Sequence, residues 1–278
     1  MTELVTVPEI ELHTGIRMPQ LGFGVFQVPN DETEAAVATA IAAGYRSIDT
    51  AAIYGNEEGV GRAIAKADVS RDDLFVTSKV WNSDQGYDET LRAFDVSLGK
   101  LGLDVLDLYL IHWPTARNDR YVDTWRALER LRADGRVRAI GVSNFEPAHL
   151  DRIVQETGVV PVVNQVELHP ALQNRAVIAA NDALGIVTEA WSPLAQGAVL
   201  GEASIVRVAE RHGQTPAQVV LRWHLQQGRV VIPKSVTPAR IAENLDVFGF
   251  DLDADELAAI DALDRDGRTG PHPDAFHG

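Results

Sequence analysis

Eight short apolar runs, separated by longer amphipathic stretches, constrain this chain more than any other feature. They occupy residues 22–26, 47–50, 74–80, 105–112, 137–143, 162–168, 186–192 and 230–234. All are strand-length and most are nearly continuous in apolar residues, the pattern of a parallel strand covered on both faces. The stretches between them carry helix punctuation. Asp31-Glu32-Thr33-Glu34 opens a helix that Gly44 closes; Thr215-Pro216 opens another, with Val219, Val220, Trp223 and Leu225 facing inward and Gly228 at its end. Eight strand–helix units predict an α/β fold, a closed (β/α)8 TIM barrel, and 278 residues suffice for a fold that takes about 250. An N-terminal β-hairpin is expected from Ile10-Glu11-Leu12 and Ile16-Arg17-Met18 around a His13-Thr14-Gly15 turn. An extra helix is expected over 203–211, and a Gly/Pro-rich tail over 265–278 should cross the barrel mouth. No linker-like composition interrupts the series, so residues 1–278 read as one domain.

Forty acidic against twenty-five basic side chains leave a net charge of −15. Such a field repels phosphate backbones and anionic bilayers, so neither nucleic acid nor membrane is an expected partner. The chain has no cysteine, which excludes a disulfide scaffold, an iron–sulfur cluster and a thiol nucleophile. Residues 1–9 lack the basic and apolar regions of a signal peptide, and no apolar run reaches the roughly eighteen residues of a membrane span. A cytoplasmic, monomeric protein is the expectation.

In such a barrel the site forms at the carboxyl ends of the strands. Asp49 ends the second run, Lys79 lies near the end of the third, His112 ends the fourth, and Tyr54 follows shortly after Asp49. Each has an ordinary alternative. Asp49 suits a helix N-cap, a rim Lys79 can reach out to water, His112 fits a hydrogen-bonded core position, and Tyr54 fits a packing aromatic. Together on one rim they favour chemistry. A buried Asp49–Lys79 pair would keep the ammonium charged, and that ammonium is expected to lower the Tyr54 pKa. Tyr54 would then give a proton to a carbonyl oxygen that His112 orients, with no metal required.

The sequence resembles the aldo-keto reductases through GYRSIDTA at 44–51, YGNE at 54–57, LDLYLIHWP at 106–114, IGVSNF at 140–145, VNQVELHP at 163–170 and IPKS at 232–235. The resemblance covers essentially the whole chain and implies that Asp49, Tyr54, Lys79 and His112 are the catalytic tetrad, with Tyr54 as general acid. It implies NADPH as cofactor, its nicotinamide stacked on Trp191 and its carboxamide held by Ser143, Asn144 and Gln165. Ser143 and Asn144 also suit a cap for the next helix, and Trp191 a core position. Gly24, Ser192, Leu194 and Gln196 complete the implied cofactor groove. Lys234, Ser235, Val236, Arg240, Glu243 and Asn244 match the family's adenosine-phosphate site, where Arg suits a 2′-phosphate. Phe26, Trp81 and Trp113 would line the substrate pocket. Asn56-Glu57, Trp81, Trp191 and Gln196 are most similar to the bacterial 2,5-diketo-D-gluconate reductases, so keto-sugars, α-dicarbonyls and aldehydes are candidate substrates.

Other signals point to structure. Gly59-Val60-Gly61-Arg62-Ala63-Ile64 lacks the third glycine of a dinucleotide fingerprint and falls in an expected helix. Asp251-Leu252-Asp253-Ala254-Asp255-Glu256 has glutamate where a calcium loop needs glycine and reads as the acidic first turn of a helix. His272 and His277 read as parts of a mobile tail. Two other functions compete with carbonyl reduction: a regulatory or structural NADP(H)-binding protein with weak catalysis, and a barrel hydrolase or lyase. The intact rim set weighs against the first. No His-Glu-x-x-His and no His-x-His in the first run weigh against a metal-dependent hydrolase.

Overall fold

The computed structural model describes residues 6–276. Residues 1–5, within the N-terminal stretch that lacks signal-peptide features, and His277 and Gly278 lie outside them. Strands β1 (Glu9–Glu11) and β2 (Arg17–Pro19) form the antiparallel hairpin, with Ile10 opposite Met18. The alternating series follows: β3 (Phe23–Gly24), α1 (Asn30–Ala43), β4 (Ser47–Asp49), α2 (Glu57–Lys66), β5 (Phe75–Val80), α3 (Tyr87–Leu101), β6 (Leu106–Ile111) and α4 (Tyr121–Ala133). It continues with β7 (Val137–Ser143), α5 (Pro147–Thr157), β8 (Val163–Glu167), α6 (Arg175–Leu184), β9 (Val187–Trp191), α7 (Ala203–His212), α8 (Pro216–Gln226), β10 (Val230–Val231), α9 (Pro238–Leu245) and α10 (Ala254–Asp261).

Strands β3 to β10 pair in parallel and in sequence order. The first and last strands meet at Leu21 and Val231, and Gly22 N donates to the Val231 carbonyl at 2.8 Å. The eight strands therefore close as the (β/α)8 barrel expected from their number. At this seam a Cβ on Gly22 would stand 2.9 Å from Ser47 Oγ, and one on Gly24 would stand 3.0 Å from the Ile232 carbonyl oxygen. Side chains thus crowd Gly22, and the backbone of the last strand's exit crowds Gly24. The strands at the seam are shorter than the apolar runs at 22–26 and 230–234, because few residues keep ladder partners where the barrel closes.

Side-chain parity carries the fold to the site. Alternate strand residues face opposite sides. Phe75, Leu108, Leu110, Ala139, Val163 and Val230 form an interior cluster that the hairpin residues Leu12 and Met18 plug. Val76, Val80, Tyr109, Ile111 and Ile140 pack the outer face against the helices. Continuing the inward parity toward the strand ends turns the interior polar: Phe75 leads to Thr77 and Lys79, Leu110 to His112, Val163 to Gln165 and Glu167, and Val187 to Glu189 and Trp191. A one-residue slip would drive these groups into the helix layer, so burial of both faces enforces the register.

Several local expectations hold. The extra helix is α7, and the inward set of α8 is buried. Thr215 caps α8 through a reciprocal box with Gln218. The glycine run 59–64 lies inside α2. Asp253 caps α10, accepting from Glu256 N at 2.8 Å. The tail crosses the mouth as expected, yet it is tethered, which corrects its description as mobile. Glu167 accepts from Thr269 N and Thr269 Oγ1, each at 2.6 Å, and from Gly270 N at 3.0 Å. Among the described residues no helix is long and apolar enough to cross a membrane.

Candidate active site

Asp49 stands at the end of β4, Lys79 in the last turn of the β5 pleat, and His112 immediately after β6. Tyr54 ends a short 3-10 turn, Ala52–Tyr54, whose exit is Gly55 in the left-handed conformation at φ 67°. Lys79 Nζ donates to Asp49 Oδ1 at 2.6 Å and to the Thr50 carbonyl at 2.9 Å. The same ammonium lies 5.2 Å from the centroid of the Tyr54 ring, which meets the His112 ring edge-on at 5.7 Å. Asp49 is thus an ion-pair partner and caps no helix.

Burial alone would pull the Lys79 ammonium down, but Asp49 and Tyr54 outweigh it and hold the pKa above the ordinary lysine value. For Tyr54 the expectation from sequence is reversed. Burial of the hydroxyl raises its pKa and outweighs the lowering by Lys79, so the resting group is a firmly protonated phenol. Burial and the Lys79 charge push His112 well below the usual histidine range. Its imidazole is therefore neutral, and its buried Nδ1 finds no partner among the described residues.

A second set lines the adjoining strand ends. Ser143 Oγ donates to the Gln165 carbonyl at 2.7 Å, Asn144 Nδ2 to the His112 carbonyl at 2.9 Å, and Trp191 Nε1 to Asn144 Oδ1 at 2.8 Å. Glu146, and neither Ser143 nor Asn144, is the N-cap of α5. Trp191 is only partly buried, with one edge against the tail, where a Cβ on Gly270 would meet the indole at 2.6 Å. Beyond it, Ser192, Ala195 and Gln196 take left-handed conformations at φ 48°, 49° and 53°. Such strain in non-glycine residues concentrates at functional loops. Leu194 is half-buried and Gln196 exposed in that loop, while Gly24 lies buried at the seam.

After β10, Lys234 and Arg240 are exposed and pair with no carboxylate among the described residues. They flank the start of α9, with Val236 exposed beside them and Ser235 Oγ accepting from Thr237 N at 3.1 Å. Glu243 accepts from Thr215 Oγ1 at 2.8 Å, and Asn244 is buried. On the other side of Tyr54, the Phe26 ring lies 5.1 Å from the phenol and Trp81 5.0 Å from His112. Trp113 closes this wall 6.5 Å from Trp191.

Three residues at the mouth escaped the sequence reading. Phe276 reaches back from the tail to 4.6 Å from Trp113 and 6.2 Å from Trp81; nothing local in sequence marks it. Glu167, inside the quoted VNQVELHP stretch, tethers the tail. Glu189 is buried beside Asp49 and Lys79, and the signal was legible: it is a charge within an apolar strand, the argument already applied to Lys79.

The Aldo/keto reductase family model matches residues 20–265. The chain belongs to that family and is a carbonyl oxidoreductase. It is 54% identical over 271 residues to the methylglyoxal reductase DkgA of Yersinia pestis, covering 97% of each chain. It is 53% identical over 266 residues to the glyoxal reductase of Bacillus subtilis strain 168, covering 95% of this chain and 96% of that one. A crystal structure of a Gox0644 mutant in complex with NADPH superposes with a TM-score of 0.94 at 53% identity, covering 98% of this chain and 99% of that one.

Proposed function

We propose that this protein reduces aldehyde and ketone carbonyls, α-dicarbonyls foremost, with NADPH as hydride source and Tyr54 as general acid. The observation that carries it is the convergence of Tyr54, the Lys79–Asp49 pair and His112 on one rim, within an aromatic wall of Phe26, Trp81 and Trp113. The α-dicarbonyl preference follows the names of the relatives, which are methylglyoxal and glyoxal reductases. Keto-sugars related to 2,5-diketo-D-gluconate are the second substrate class.

The residues present fit NADPH, which the neighbouring Gox0644 structure contains. Trp191 offers a partly open indole whose orientation Asn144 fixes. Ser143, Asn144 and Gln165 stand beside it as carboxamide partners. Lys234 and Arg240 supply unpaired positive charge near a helix start, suited to phosphates, with Ser235, Val236, Glu243 and Asn244 around the adenosine end. Gly24, Ser192, Leu194 and Gln196 border the path between the two ends.

Bound NADPH supplies the hydride that adds to the carbonyl carbon. Tyr54, protonated at rest, holds the proton next to the carbonyl oxygen and transfers it as negative charge develops there. Lys79 stands where it stabilises the phenolate that remains, and Asp49 keeps Lys79 charged. His112, neutral, donates its single N–H to the same oxygen and sets its direction. The aromatic wall excludes water and selects by apolar contact, which gives modest discrimination among small carbonyls. One barrel domain over 1–278, acting as a cytoplasmic monomer, completes the proposal.

The test is NADPH consumption with methylglyoxal, a keto-sugar and an aromatic aldehyde, alongside fluorescence titration of the cofactor. Methylglyoxal should give the highest kcat/KM. Cofactor binding without turnover of any carbonyl would instead support the regulatory alternative.

A further inference from the structure

Glu189 has no place in the chemistry above, yet it sits in the same polar layer. Its residue is 1% exposed, and its backbone stands opposite Gln165 in the β8–β9 ladder. Gln165 Nε2 donates both of its hydrogens to carboxyl groups: one to Asp49 Oδ2 and one to Glu189 Oε2, each at 2.8 Å. Glu189 Oε1 is buried with no partner among the described residues.

The consequence lies in the amide of Gln165. A glutamine amide has a donor end and an acceptor end of nearly the same shape, and its hydrogen-bond partners decide which way it points. With one acceptor, Asp49, the amide would keep a free N–H and freedom to rotate. With two on the same end it has neither. The oxygen end is then the only one left for a ligand.

We propose that Glu189 is a positioning residue for the reduction: together with Asp49 it locks the Gln165 amide so that Gln165 Oε1 is presented as an acceptor to the amino group of the cofactor's carboxamide. The inference rests on the cofactor site proposed above. Glu189 touches neither cofactor nor carbonyl and acts only through Gln165. The charges and titratable groups that face it are Asp49, Lys79 and Tyr54. Burial and Asp49 raise its pKa to about 8, so at neutral pH it serves as an uncharged acceptor. A second negative charge, beyond the one that Lys79 compensates on Asp49, is thereby avoided.

The test compares NADP+ with its 3-acetylpyridine analogue, in which a methyl replaces the carboxamide amino group. Dissociation constants are read by intrinsic fluorescence at pH 7 in wild type, E189Q and E189L. Wild type should bind NADP+ about five- to tenfold more tightly than the analogue, the worth of one net hydrogen bond. E189Q retains an oxygen that accepts from Gln165 and should keep that ratio. E189L removes the acceptor and should bring the ratio within about twofold, with thermal unfolding showing that it remains folded. If E189L does not fold, E189M carries the same comparison without a branched side chain.

A wild-type ratio preserved in the Leu or Met variant would overturn the proposal, as would a ratio lost equally in E189Q. No discrimination in wild type would also overturn it. Absence of any NADP+ or NADPH binding by wild type would instead defeat the underlying cofactor site, a distinguishable result.

Discussion

Lys79 Nζ and Asp49 Oδ1 lie 2.6 Å apart with both side chains buried. Neither charge has water to fall back on, so each is tolerable only because of the other. Lys79→Met should therefore act twice. It strands the Asp49 carboxylate, at a cost of about 3–5 kcal/mol in unfolding free energy by urea titration. It also removes the cation facing Tyr54, and turnover should fall by at least about a hundredfold.

Tyr54→Phe keeps the ring that packs on Phe26 and His112 and deletes only the hydroxyl that carries the proton. We expect kcat for carbonyl reduction to fall by roughly 10²- to 10⁴-fold. The NADPH dissociation constant should stay within about twofold, since no cofactor contact is assigned to the hydroxyl. Near wild-type turnover in this variant would remove Tyr54 from the role of acid.

In the proposed cofactor site Lys234 and Arg240 would hold a polyanion on a chain of net charge −15, so their effect should be local, with little help from long-range steering. Lys234→Gly and Arg240→Ala should each weaken NADPH by about tenfold while changing NADH far less. Titration of both cofactors with each variant checks this; equal losses would refute a 2′-phosphate site here.

Glu189 also leaves a mark on stability. Its folded pKa is near 8 against 4.5 for the free group. Between these values the folded state holds a proton that the unfolded state has released, so this contribution is complete below pH 4.5 and is lost as pH rises toward 8. Wild type should lose stability relative to Glu189→Gln across that window, by at most about 1.4 kcal/mol per pH unit. Chemical denaturation of both proteins from pH 5 to about 9 measures the difference. A pH-independent difference would show that Glu189 is ionised in the folded protein.

Phe276 packs on Trp113 and near Trp81, both part of the proposed substrate wall. Phe276→Ala should raise KM for aromatic aldehydes by about fivefold or more, in line with the loss of one buried aromatic contact. NADPH affinity should be little changed. A loss confined to cofactor binding would place the tail elsewhere in the mechanism.

The order of strands and helices was legible because the signals are local. Apolar runs, Thr215-Pro216 and the glycine after α1 act within a few residues of themselves. Asp49, Lys79 and His112 were legible for a related reason: a polar group at the end of an apolar strand stands out against its neighbours. Tyr54 was legible beside them as the fourth group of the same rim, whereas Trp191 needed the resemblance, since taken alone it is an ordinary packing residue.

What the tertiary structure decided depends on distance across the barrel. The sequence by itself determined the eight-unit alternation, the inward parity and the identities of the rim groups. Only the closed barrel set the balance at Tyr54, where enclosure outweighs the nearby ammonium and reverses the expected shift. Only the fold joined Gln165 to both Asp49 and Glu189, and brought Phe276 onto Trp113. The physical reason is that desolvation and hydrogen bonding depend on what surrounds a group in space, and residues far apart in the chain supply most of those surroundings here.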